Sequence, residues 1–134
     1  MCGIAGLFNF GTFQTLKCMC DAITHRGPDD DGYFESGPVL LGNRRLSIVD
    51  LNHGKQPMTN EDGSVVVVYN GEIYNHNELR QELIEKGHTF RTRCDTEILP
   101  HLFEEEGIHF ARRLNGIFAF ALWDQKSETL YLVR

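Results

Sequence analysis

Val65-Val66-Val67-Val68-Tyr69-Asn70-Gly71-Glu72-Ile73-Tyr74-Asn75 is the stretch on which the fold of this chain turns. Four β-branched residues in a row favour a strand covered on both faces, and such a strand needs one layer above it and another below. Asn-Gly directly after a β-branched run is the strongest short hairpin signal, so the strand is expected to end in a tight turn at Asn70-Gly71. Asn75 then opens a helix with Glu78 as a capping-box-like partner. Leu79 and Leu83 share one face of that helix, and Gly87 stops it.

Downstream, Ile98, Leu99, Leu102 and Phe103 form the buried stripe of a third helix that starts near Asp95, or at Pro100, because interior proline removes a backbone bond at about 3 kcal/mol. Ile117 to Trp123 and Thr129 to Val133 read as two strands joined by the polar turn Asp124 to Glu128. Upstream, Gly3 to Phe10 suits a buried strand, and Thr15 to Thr24 carries the helical stripe Leu16, Met19, Cys20 and Ile23. His25 to Gly32 is turn-rich loop, short strands are expected at Tyr33 to Glu35, Val39 to Leu41 and Leu46 to Val49, and Asn52 to Gly63 is polar loop. The order β, α, several β, α, α, β-β predicts an α+β fold of stacked antiparallel sheets with helices outside, and argues against a doubly wound parallel sheet.

The 134 residues hold 13 Lys plus Arg and 19 Asp plus Glu, a net charge of 13 − 19 = −6. With 41% hydrophobic residues there is material for a core, and roughly two thirds of the unfolded surface can be buried at this length. Net acidity disfavours nucleic acid and anionic membrane as partners. No segment is apolar for the roughly 20 residues a bilayer span requires, and the N-terminus lacks the charged n-region of a signal peptide, so a cytoplasmic protein is expected. The four cysteines are read as reduced thiols. Cys18-Met19-Cys20 and the six histidines show no local metal-ligand spacing, so no metal is expected.

Cys2 has two readings. Removal of the initiator methionine would place a thiol and a free α-amine on one carbon, and an amine with a reference pKa of about 7.7 to 8.0 can accept the thiol proton near neutrality. The plainer reading is a small apolar residue beside a strand. Met1-Cys2-Gly3-Ile4, His25-Arg26-Gly27-Pro28-Asp29, Arg45-Leu46-Ser47-Ile48-Val49-Asp50, Asn70-Gly71-Glu72-Ile73-Tyr74-Asn75 and Asp95-Thr96-Glu97 favour the first. Together these motifs resemble the glutaminase domain of the N-terminal-nucleophile (class II) glutamine amidotransferases, in the wording of the asparagine synthetase branch. Gly116 to Phe120 and Leu132 to Arg134 extend the resemblance over the whole chain.

The resemblance implies a four-layer αββα sandwich of two antiparallel sheets, with glutamine as substrate and ammonia passed to a synthetase domain of the same full-length protein. It implies Cys2 as nucleophile, with Asn70 and Gly71 as the oxyanion hole. It also implies a substrate site of Arg45, Leu46, Ser47, Ile48, Val49, Asn70, Gly71, Glu72 and Asp95. Chemistry supports several of these roles. A guanidinium binds the glutamine carboxylate bidentately, Asp95 and Glu72 can meet its ammonium, and one oxyanion donor is typically worth about 2.7 to 4 kcal/mol. The competing roles are a strand surface for Arg45 and Glu72, and a helix N-cap for Asp95. Arg44 is read as a solvated charge, Arg26 and Asp29 as loop structure near the site, and Cys18, Cys20 and Cys94 as packing residues.

No pyrophosphate or Walker-type glycine loop occurs, so no cofactor is expected in this domain, and ATP and Mg only in the absent synthetase domain. The sandwich is expected to be truncated at its C-terminus, leaving an open sheet edge with poor stability or association, and a homo-oligomer is an open possibility. The rival reading is a catalytically inactive fragment or interaction module of the same fold, supported by Pro100 and the abrupt end.

Overall fold

A computed structural model of the chain describes residues 2–46 and 54–134. Strands β1 (Gly3–Phe8), β2 (Asp30–Ser36) and β3 (Val39–Arg45) form a three-stranded sheet in the order β1-β3-β2. Strands β4 (Met58–Thr59), β5 (Val65–Ile73), β6 (Gly116–Asp124) and β7 (Thr129–Val133) form a four-stranded sheet in that order. Every pairing is antiparallel. Helix α1 (Phe13–Ala22) covers the first sheet; α2 (His76–Glu85) and α3 (Ile98–Glu106) cover the second.

Three apolar clusters fill the gaps between these layers. Val65, Val67 and Tyr69 pack with Leu79, Leu83, Ile98, Leu99 and Leu102 of the helices. Val66 and Val68 turn the other way, onto Val39, Leu41, Ala121 and Trp123 between the sheets. Leu16 and Cys20 of α1 meet Leu7 and Leu40. The period-2 alternation of one valine run thus supplies two cores, which is why a continuous β-branched run marks the doubly covered strand of an αββα sandwich.

Several expectations are corrected. Asn70-Gly71 is no hairpin: β5 runs on to Ile73, with Asn70 opposite Ala119 and Gly71 opposite Phe118. The partner strand lies far along the chain, and its ladder satisfies backbone groups that a turn would have left to water. Gly71 is required by close approach, since a Cβ there would stand 2.6 Å from Phe118 Cα and against Ile117 O. Asn75 is the N-cap of α2 but makes no capping bond; its side chain donates to Arg113 O (2.9 Å) and accepts from Asn115 N (3.0 Å). That ties α2 to the 3-10 segment Gly107–Arg113, which sequence periodicity did not reveal.

Helix α1 begins at Phe13 because Thr12 and Thr15 form a reciprocal cap. A 3-10 turn, Thr24–Arg26, straddles the end of the expected helix and the start of the turn-rich loop, and β2 already begins at Asp30; β4 interrupts the polar stretch before β5. Pro100 is the third residue of α3, inside the first turn, whose N–H groups have no intrahelical partner. It therefore leaves the helix intact and lends no support to an inactive module. Arg44 is not a solvated charge: its Nε donates to Gly27 O (3.2 Å) and Nη1 lies 3.5 Å from Asp31. Cys20 and Cys94 are buried packing residues, whereas Cys18 is exposed. The strand expected at Leu46 to Val49 falls, beyond Leu46, outside the described residues. No helix among the described residues is long and apolar enough to cross a membrane.

Candidate active site

Pairing of Gly3 with Arg44 sets the start of β1 beside the end of β3. Asn43, 1% exposed, holds that start by donating from Nδ2 to Gly3 O at 3.3 Å. Cys2, half-buried, follows from this anchoring, with Sγ 4.0 Å from Leu46 O. The loop around Asp29 braces the same place, its N–H donating to Arg45 O at 3.1 Å. Arg26 and Asp29 are both exposed and do not line the cleft, consistent with loop structure near the site.

A cleft of about 470 Å³ opens there, walled by both sheets and by the segment that leads into α3. Cys2, Arg45 and Leu46 come from the first sheet side, Gly71 and Glu72 from β5, and Asp95 from the 3-10 turn Asp95–Glu97. Arg45 is 5% exposed, which rules out the strand-surface role. Glu72 is exposed at the cleft wall. Asn70 is the neighbour of Gly71 on β5 but is not a lining residue, and its Oδ1 is buried with no hydrogen-bond partner. Ser47, Ile48 and Val49 lie outside the described residues.

Asp95 is not a helix N-cap. Its Oδ2 accepts from Tyr69 OH (2.8 Å) and Ile73 N (3.0 Å), which locks the carboxylate against β5. Burial first, then the charge and hydrogen bond of Asp95, push the Tyr69 phenol far above its ordinary pKa, so it stays protonated and keeps donating. Behind the turn, Glu97 is 3% exposed and collects the N–H groups of Arg91 and Thr92, both at 2.7 Å. Sequence reasoning missed the parts of this site that have no local motif. In the sequence Tyr69 shows only as the end of a strand. Gln56, whose Oε1 accepts from Tyr69 N at 2.7 Å, and Arg93 had no signal in their neighbours.

The layered arrangement is an α+β sandwich of the N-terminal-nucleophile-hydrolase-like fold. Glutamine phosphoribosylpyrophosphate amidotransferase from B. subtilis, complexed with ADP and GMP, matches 91% of this chain and 35% of its own at TM-score 0.76 and 22% identity, a likeness of fold. The chain belongs to the glutamine amidotransferase domain family, whose match runs over residues 1–134. Asparagine synthetase [glutamine-hydrolyzing] 2 of Bacillus subtilis (strain 168) is 48% identical over 100% of this chain and 19% of its own length. Asparagine synthetase [glutamine-hydrolyzing] 1 of Arabidopsis thaliana is 46% identical over 100% of this chain and 24% of its own. The chain therefore spans about a fifth to a quarter of these relatives' length and matches their glutamine amidotransferase portion.

Proposed function

We propose that this chain hydrolyses the side-chain amide of glutamine to glutamate and ammonia, with Cys2 as the nucleophile once Met1 is removed. The Cys2 thiol passes its proton to its own α-amine, and Sγ bonds to the amide carbon. The C–N bond then breaks, and ammonia leaves with the proton returned by the α-ammonium. Water attacks the γ-glutamyl thioester, releases glutamate and restores the thiol. In both steps the Gly71 N–H and the Asn70 side-chain amide hold the oxyanion. Arg45 binds the substrate carboxylate, and Asp95, with Glu72 beside it, meets the ammonium. Holding the substrate's far end at Arg45 and Asp95 selects against asparagine, whose shorter side chain misplaces the carbonyl.

One observation carries this reading: Cys2, Arg45, Gly71, Glu72 and Asp95, drawn from distant parts of the chain, line a single cleft. The ammonia is passed to a synthetase domain of the full-length protein, where ATP and Mg act. A cytoplasmic setting fits the four free cysteines. The test is glutamate release from glutamine by protein whose first residue has been fixed by intact mass. Cys2→Ala should abolish release, and substantial turnover by a clean preparation of that variant overturns the assignment.

A further inference from the structure

A second group of chemistry-bearing side chains lies outside the cleft. Glu61 follows β4, His88 follows α2, and His101 and Glu104 stand one turn apart on α3. One ligand-type atom from each lies within 4.8 Å of all the others. His88 Nδ1 is 3.1 Å from Glu61 Oε1 and 3.8 Å from Glu104 Oε2. His101 Nδ1 is 3.1 Å from Glu61 Oε2 and 3.6 Å from Glu104 Oε2. Bonds of about 2.0 to 2.2 Å in a tetrahedral zinc site put its ligand atoms roughly 3.3 to 3.6 Å apart, so a set of one atom per residue within 4.8 Å closes onto an ion by side-chain rotation alone.

Two further features point to a ligand. His101 is 1% exposed, yet neither ring nitrogen makes a hydrogen bond; Glu61 Oε2 is near Nδ1 but not along a hydrogen-bonding direction. Leaving a buried imidazole unsatisfied is costly, and a cation on Nδ1 would remove part of that cost. The outer contacts are also those of a metal site. His88 Nε2 lies 3.3 Å from Glu105 Oε1, Glu105 Oε2 is held by Lys86 Nζ at 2.8 Å, and Glu61 Oε1 accepts from Thr89 N at 3.0 Å. A carboxylate on the far nitrogen fixes the tautomer that leaves the near nitrogen free to ligate.

We propose that Glu61, His88, His101 and Glu104 form a structural zinc site that staples α3 to the segments following β4 and α2. Two neutral imidazoles and two carboxylates balance a divalent charge. The imidazoles favour zinc-like ions over magnesium or calcium, and four protein ligands close the site to substrate. None of the four lines the cleft. Local spacing rules do not reach this site, because its ligands come from three separate segments.

The test uses the whole chain, stripped with chelator, loaded with zinc chloride and dialysed, with metal content measured by mass spectrometry. One equivalent of zinc should be retained, and cobalt(II) should give tetrahedral d–d bands without a thiolate charge-transfer band. His88→Ala and Glu61→Gln should each weaken zinc binding at least about 10-fold, and Glu105→Gln by about 10-fold through the outer contact. Zinc, but not millimolar magnesium, should raise the melting temperature. Glu61→Gln and Glu104→Gln, at more exposed positions, carry the test if His88→Ala fails to fold. Substoichiometric zinc, a thiolate band, or affinity unchanged in the glutamine variants overturns the proposal.

Discussion

A guanidinium at 5% exposure is expensive to bury, and Arg45 is held there by the end of β3 at the wall of the cleft. Arg44, its neighbour, points to the other face and anchors the loop at Gly27, so strand alternation divides one arginine pair into a brace and a candidate carboxylate binder. A lysine cannot reproduce the planar two-pronged grip. Arg45→Lys should raise the KM for glutamine about 10-fold or more while changing kcat less, as steady-state kinetics would show. Position within the R-L-S-I-V-D motif made Arg45 legible in the sequence. Burial of Arg44 was not, because it depends on a loop of remote sequence folding over it.

Among the elements, β5 was the most legible, since four consecutive valines admit few other structures. Its far half departs from the local signal for a definite reason: Asn-Gly has a strong local preference, and the β6 ladder that overrides it is formed by residues more than forty positions away. Asn75 repeats the pattern. It was identified correctly as a helix start, but its amide serves Arg113 and Asn115 instead of its own helix. Asn75→Ala should therefore cost about 1 to 3 kcal/mol in urea denaturation, more than loss of an ordinary exposed polar contact, because two backbone groups lose their partners. A result near zero would mean that water replaces both bonds.

At the scale of the whole molecule, the layer between the sheets decides stability. Leu41 is fully buried there, against Val66, Val68 and Trp123, whereas Leu132 on the edge strand β7 is 75% exposed. Leu41→Ala should destabilise by about 2 to 5 kcal/mol and Leu132→Ala by no more than about 0.5, measured by tryptophan fluorescence and circular dichroism in denaturant. Comparable losses at the two positions would contradict the layer assignment. The layers themselves could be read from residue periodicity, but the seam between them could not, because no local pattern tells one sheet where to rest on another. Across that seam the sulfur of Cys2 belongs to one half of the sandwich and the Gly71 amide to the other. Under the mechanism proposed above, catalytic competence is thereby an assembly checkpoint: a nascent or partly melted polypeptide would be chemically silent, and nitrogen would be liberated only by molecules whose two halves have closed on each other.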